Sequence, residues 1–350
     1  MSLDLGLSRL AGVRNANSRR RRRVNGALVL AIVLVFTLAL YLGDYPVAPG
    51  EILRSLLSPL TGAVDKGIDF IVLQVRLPRA VLAILSGAAF GLAGIIFQTL
   101  LRNPLASPDI IGISHGASAA AVFCIIVLGW SGLAVSLGAL SGAVLTALAI
   151  YFLAWRDGIT PYRIVLIGIG MAAMLGAVIS YIFTRARIFD VQQAMAWLVG
   201  SLNAARASDS LVLGLAMLVL IAALLFFVRG LDALELGDDS ARGLGGNIEQ
   251  TRVGLLLVAV GFAAFATAAV GPVGFVAFVS GPIARRLLAG AGRGFPQAAG
   301  VGAVVMLGSD LAAQHALPSV QLPVGVVTGA FGAIFLLWLL MASGRSGRVN

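Results

Sequence analysis

The side chains that could carry covalent or metal chemistry are few in this chain, and they are scattered. His115 and His315 are its only histidines and lie far apart in sequence, while Cys124, the only cysteine, sits inside an apolar run. No disulfide can form within the chain. Neither a cysteine-based zinc or iron–sulfur site nor a histidine-rich metal site can be built from this set. No catalytic residue and no metal ligand is assigned. Lys66 is the only lysine, in the run VDKGID. A phosphate-binding P-loop needs Gly-Lys-Ser/Thr so that the ammonium reaches the nucleotide phosphates. Without it, any ATP-derived energy has to come from another polypeptide. What remains is arginine. Arg76 and Arg79 bracket Leu77-Pro78 at the mouth of an apolar run that continues to Leu101. A guanidinium fork holds a carboxylate through two parallel bonds; an arginine pair can equally well snorkel and set helix depth.

The elements that position these groups follow from composition. The chain has 350 residues, 59% of them hydrophobic and only 11% charged, with a mean hydropathy of +0.99. Soluble domains carry about 25% charged residues. A deficit of that size over the whole length means a polytopic membrane protein. The net charge of +10 does not point to nucleic acid, because the basic residues fall between apolar spans. Arg19–Arg23 reads as the anchor of a first span, and no cleavage site follows it.

Ten spans are expected, at about 26–43, 78–101, 110–129, 133–155, 163–183, 211–228, 252–271, 273–284, 297–313 and 322–341. Gly87, Gly91 and Gly94 fall near one face of the second, and small-xxx-small spacing lets helices approach closely in lipid. Residues 1–25 read as a polar, basic, mobile cytoplasmic segment, 26–343 as the transmembrane domain and 344–350 as a tail. Between Asp44 and Val75 the prolines and acids suggest an external loop with one short amphipathic helix near Glu51–Leu57. The stretch 102–109 reads as a short polar elbow, and Arg185 to Asp209 as an interfacial helix with Trp197 at headgroup depth. The polar segment 229–251 offers short helices with apolar knobs, suited to docking. The run from Arg252 to Val279, broken at Gly271-Pro272, is either one kinked helix or a span with a short return. The return keeps Arg285, Arg286 and Arg293 on the inner side, as the positive-inside bias prefers. With both ends cytoplasmic, all basic residues except Arg54, Lys66, Arg76, Arg79, Arg185, Arg187 and Arg206 lie inside.

Three ordered motifs lie within one stretch: Arg76-Leu77-Pro78-Arg79, then Asn103-Pro104-Leu105-Ala106-Ser107-Pro108, then Gly112-Ile113-Ser114-His115-Gly116-Ala117. This combination resembles the FecCD-type permeases of ATP-driven importers for iron–siderophore complexes, haem and cobalamin. Further runs (LAWRDGI, LIGIG, GSLN, LELGDDSARGLG, GPIARR, QLPVGVVTG) are similar to the second permease subunit of ferric enterobactin-type importers. The resemblance implies an all-α, ten-helix type II ABC importer permease of the bacterial inner membrane, paired with a second homologous permease. It implies two ATP-binding subunits, which hold ATP and Mg, and a periplasmic or lipid-anchored binding protein that delivers an iron–siderophore complex. By the same resemblance Arg76 and Arg79 receive acidic residues of that binding protein. Gln314 stands where the family often has a third arginine. Leu236, Gly237, Asp238, Ser240, Ala241, Arg242, Leu244 and Gly245 couple to the ATPase. Asn103 and Thr160-Pro161-Tyr162 narrow the cytoplasmic end of the pathway, and Met171, Met174, Ser180 and Thr328 line it. Asp310, the one acid expected within the membrane, is a proton-relay candidate by that placement, but its position near the outer end of its span favours a solvated or hydrogen-bonded structural role. A haem or cobalamin permease is the alternative within the family, and an ion-driven secondary transporter the alternative outside it.

Overall fold

A computed structural model describes residues 2–43, 45–62, 65–156, 160–235, 248–317 and 320–346. The fold is all-α: among these residues no strand occurs, only an isolated bridge between Leu317 and Val320. The helices are α1 (Ser2–Tyr41), α2 (Pro49–Thr61), α3 (Lys66–Asp69), a π-helical turn (Phe70–Arg76), α4 (Leu77–Leu100), α5 (Ile113–Ile126), α6 (Leu133–Ala154) and α7 (Pro161–Arg185). They continue as α8 (Ile188–Leu198), α9 (Ala207–Glu235), α10 (Ile248–Val270), α11 (Val276–Leu288), α12 (Phe295–His315) and α13 (Val324–Ser346). Each of the ten expected spans overlaps one of these helices, several of which run past the expected bounds. Six described segments are long and apolar enough to cross a membrane by themselves: Gly12–Tyr41, Lys66–Leu100, Leu133–Ala154, Tyr162–Arg185, Ala207–Leu231 and Glu249–Val270. The others are shorter or carry more polar residues.

α4 is the buried axis of the bundle and packs on α9, α10, α11 and α12. In lipid, apolar burial drives no helix association, so close backbone contact has to hold the bundle. The α4 glycines supply it. A Cβ on Gly87 or Gly91 would land on the carbonyl oxygen of Gly302 or Ala298 in α12, and one on Gly94 on that of Ala277 in α11. The sides of α7 and α9 away from this core leave Leu166, Ile169, Leu218 and Phe226 more than half exposed, facing lipid or a partner.

The basic segment 1–25 is helical and continuous with the first span, so α1 runs 40 residues, about 60 Å at 1.5 Å per residue. Between Val47 and Arg76 there is more order than one amphipathic helix. α2 starts with Glu51 accepting from the Ala48 N–H (2.8 Å) and ends at a left-handed Gly62, and Asp65 caps α3 through the N–H groups of Gly67 and Ile68. Leu40, Val47, Ile52 and Val72 close a satellite core beneath these turns. The elbow after α4 is neither short nor wholly polar. It extends from Leu101 to Gly112, with Ala106, Ser107, Pro108 and Ile111 buried, and α5 starts only at Ile113. After α10 the chain breaks at left-handed Gly271 and Phe275. The Ser201 N–H then bonds the Val270 carbonyl (2.9 Å), fixing the end of α10 beside the segment after α8. α11 carries the chain back to the end where α10 began, so Arg285 shares a cavity with Arg102 and Arg252.

Candidate functional site

At one end of the bundle, the first turn of α4 meets the last turn of α12. Pro78 sits where its missing N–H is one of the unsatisfied helix-start donors anyway, so the helix can begin between the two arginines. Arg79 reaches Asp310: its Nε lies 2.9 Å from Oδ2 and its Nη2 2.9 Å from Oδ1, a two-pronged ion pair. The Gln314 amide donates to the same carboxylate (2.9 Å), and Arg79 Nη1 donates to Gln321 Oε1 (3.4 Å). The pair is largely withdrawn from solvent, with side chains 11% and 2% exposed.

Arg76 has a different task. Its guanidinium donates to the carbonyls of Leu40 (2.7 Å) and Tyr41 (3.1 Å), acceptors left over where α1 ends, and to that of Tyr45 in the loop beyond. Gly43 leaves room for this, since a Cβ there would meet the guanidinium. Arg76, Arg79, Asp310, Gln314 and Gln321 together line a cavity of about 180 Å³. The structure thus gathers the three expected docking residues at one place, but sets each in bonds within the chain. Of the two structural roles open to Asp310, solvated or hydrogen-bonded, the second is the one seen. The sequence held no signal that its partner would be Arg79, more than two hundred residues earlier.

The opposite end is built from the ends of α4, α9, α10 and α11. Arg102, Asn103, Arg252, Arg285 and Arg293 line a cavity of about 620 Å³ there, with Gln98 at its wall. Asn103 is occupied with turning the chain: its Oδ1 accepts from the Leu105 N–H (2.9 Å) and its carbonyl from the Ala106 N–H (3.1 Å). The buried Gln98 amide donates to the Phe278 carbonyl (3.0 Å) and accepts from Arg285, tying α4 to α11. Thr160 and Tyr162 do not line this cavity. Thr160 starts α7, its carbonyl accepting from the N–H groups of Arg163 and Ile164, and Pro161 takes the first helical position. Tyr162 is 75% exposed. The expected gate residues therefore occupy two separate places in this chain.

The wall residues also divide. Met174 and Ser180 lie on the exposed face of α7, Ser180 bonding back to the Gly176 carbonyl (3.0 Å), and Met171 is half-buried against the core. Thr328 points the other way. It is buried, bonds the Gly325 carbonyl (3.1 Å) and borders an apolar cavity of about 340 Å³ between α11, α12 and α13. Thr328, expected along the pathway with the α7 residues, thus stands on a different surface of the subunit from Met174 and Ser180. Its position in α13 turns it into the subunit, where its hydroxyl bonds back to its own helix. Leu236, Gly237, Asp238, Ser240, Ala241, Arg242, Leu244 and Gly245 lie outside the described residues.

The motif at 112–117 has a steric reading that its spacing did not disclose. Gly112 is left-handed and packs on the Gly168 carbonyl of α7, and Gly116 abuts Thr146 and Gly142 of α6. Ser114 donates its hydroxyl to Asp109, anchoring the buried elbow. No group of three or more His, Cys, Asp or Glu residues that could hold a metal occurs among the described residues.

Among the described residues neither end holds a group of acids, histidines and cysteine that could bind a metal, and the comparisons decide the class. Residues 30–342 match the FecCD transport family. The chain belongs to that family. It is similar to the ferric enterobactin transport system permease protein FepG of Escherichia coli (strain K12), 38% identical over 326 residues that cover 92% of this chain and 98% of the relative. It is equally similar to the achromobactin transport system permease protein CbrC of Dickeya dadantii (strain 3937), 38% identical over 330 residues and 91% of both chains. In fold it matches a metal-chelate type ABC transporter solved in an inward-facing conformation, with a TM-score of 0.81 at 23% identity over 92% of this chain and 99% of that one. Membership of the FecCD family makes the chain a multi-pass membrane permease of the ABC importer class.

Proposed function

We propose that this chain forms one half of the membrane channel of an ATP-driven importer, pairs with a second homologous permease, and carries an iron–siderophore complex inward. End-to-end similarity to two permeases named for siderophores carries the substrate class. All ten helices α1, α4–α7 and α9–α13 belong to the membrane domain, with the Arg102–Arg252–Arg285 end cytoplasmic. Two features support that orientation. The arginine-rich part of α1 lies at this end, where Arg20 Nε donates to the Leu287 carbonyl (2.9 Å). Arg286, beside it, stacks on Trp338 near the end of α13, 4.5 Å from the ring centroid.

The Arg76–Arg79 end then faces the binding protein. Two ATPase subunits engage the 229–251 segment, and their nucleotide cycle tilts the paired permeases between outward- and inward-open states. This chain contributes walls and contacts and no covalent step. The exposed, sparsely polar face of α7 suits a bulky chelate that must be passed on without being held. The test is uptake of radioactive iron as ferric enterobactin into liposomes holding the purified complex of both permeases, both ATPases and the binding protein. Accumulation should require ATP and all components. Uphill uptake or nucleotide hydrolysis by this chain alone would refute the reading, and strictly ATP-dependent uptake of haem or cobalamin but not of the ferric chelate would refute the substrate class.

A further inference from the structure

Phe275 stands at the start of α11 with a backbone that its side chain disfavours. Among the described non-glycine residues only Arg102, Ala289 and Phe275 are left-handed, and Phe275 (φ 69°) is the aromatic one. A left-handed backbone brings Cβ against the following carbonyl, and for a bulky residue it is a true outlier. Helix starts favour Ser, Thr, Asp, Asn or Gly. Phe275 holds that position in α11 and caps no N–H group with its side chain. Such strain persists only where the surroundings enforce it.

Contacts to the elbow, α11 and α13 enforce it here. The Phe275 N–H donates to the carboxylate of Asp109 in the elbow, which also accepts from the Ser114 hydroxyl. The Phe275 carbonyl accepts from the Val279 N–H (2.9 Å) in the first turn of α11. Its ring lies where a Cβ on Gly332 of α13 would stand, and it meets Phe278 edge-on with 6.2 Å between centroids. Two neighbouring features supply a second position. The ring borders the apolar cavity of about 340 Å³ between α11, α12 and α13, and ~150 Å³ is enough to accept benzene. His115, near enough to Asp109 for their charges to interact, has a buried Nδ1 without a hydrogen-bond partner among the described residues, a replacement donor for the carboxylate in one tautomer. The chain just before is fixed at one point and open at another: a Cβ on Gly271 would meet the Trp197 carbonyl, and one on Gly274 would meet nothing. Movement at the start of α11 is thereby confined to Gly274 and Phe275.

We propose that Phe275 is a two-position switch between α11 and α13, latched by Asp109 in the position seen here. Release from Asp109 returns the backbone to the helical region, extends α11 by one residue, and moves the ring from its seat at Gly332 into the cavity. α13 is then free to shift against α11, since packed contacts with two discrete arrangements turn small displacements into transitions. Asp109 acts through Phe275 and is a positioning residue. The use of this motion, the change between outward- and inward-open states, rests on the importer reading above; the latch itself does not.

Hydrogen exchange of the full-length chain in lipid nanodiscs, read on peptides covering 271–280, tests the latch without cargo. Asp109→Ala removes the acceptor and should speed exchange there about tenfold, a shift of ~1.4 kcal/mol in local opening. Residues 255–268 of α10 should not change, and Asp109→Asn, which keeps an acceptor oxygen, should retain most of the protection. Gly332→Ala displaces the ring and should give a similar rise. Because both substitutions act through Phe275, the double variant should exchange no faster than the faster single one, whereas independent damage at two sites multiplies. Asp190→Asn, on α8, is the control and should have no effect. A second arm needs no variant to fold: in a complex with ATPase partners that accumulates ferric chelate, trapping with ATP and vanadate should raise exchange at 271–280 in the wild type. Unaltered exchange in Asp109→Ala, or multiplying effects in the double variant, overturns the latch. A segment indifferent to trapping in a transporting complex overturns its use as a switch. Failure of the importer reading looks different: no complex transports, yet Asp109→Ala still speeds exchange.

Discussion

Replacing Asp310 by asparagine keeps the shape of the Arg79–Asp310–Gln314 network and removes only its charge. Arg79 is then left with its guanidinium largely buried and without a counter-ion. Removing one partner of a buried ion pair costs about 3–5 kcal/mol, most of it the penalty of the stranded charge. Arg79 retains Gln321 and an amide oxygen at position 310, so the lower end of that range, ~3 kcal/mol, is expected. The same chain holds its own control. Arg187 and Asp190 form an ion pair at 3.0 Å with side chains 87% and 28% exposed, and Asp190→Asn should cost under ~1 kcal/mol. Unfolding by sodium dodecyl sulfate in mixed micelles, followed by loss of helicity, measures both. A double variant, Arg79→Met with Asp310→Leu, should recover most of the loss, because an apolar pair of similar volume strands no charge. If Asp310→Asn costs no more than Asp190→Asn, the Arg79–Asp310 pair is solvated and the reasoning fails. If the double variant is as unstable as the single one, packing rather than charge holds α4 to α12.

The α4 glycines lead to a second expectation: Gly91→Val should cost about 1–3 kcal/mol or block assembly, since its side chain must displace the Ala298 backbone. Gly170→Ala, in open space on α7, should be neutral by the same detergent titration. Gln98→Leu removes a donor to the Phe278 carbonyl and an acceptor for Arg285, and a loss of ~1–3 kcal/mol is expected, with α10 and α11 gaining amide exchange before α4 does.

The sequence by itself determined the class of the molecule and much of its layout. Apolar runs long enough to cross a bilayer and a Gly87–Gly91–Gly94 face are local properties, and they reappear in the helices and in the contacts of α4 with α11 and α12. The break at Gly271-Pro272 was legible for the same reason, because glycine and proline act through their own backbones. The tertiary structure decided everything that depends on pairing across the chain. Arg79 meets Asp310, Arg76 closes the end of α1, Thr328 turns inward, and arginines from four segments line one cavity. No residue carries a mark of its distant partner, since a guanidinium is equally suited to a carboxylate, a helix end or a phosphate. Which of these it finds is settled by helix packing, and that packing rests on contacts between small residues whose sequence pattern says that helices approach but not which ones.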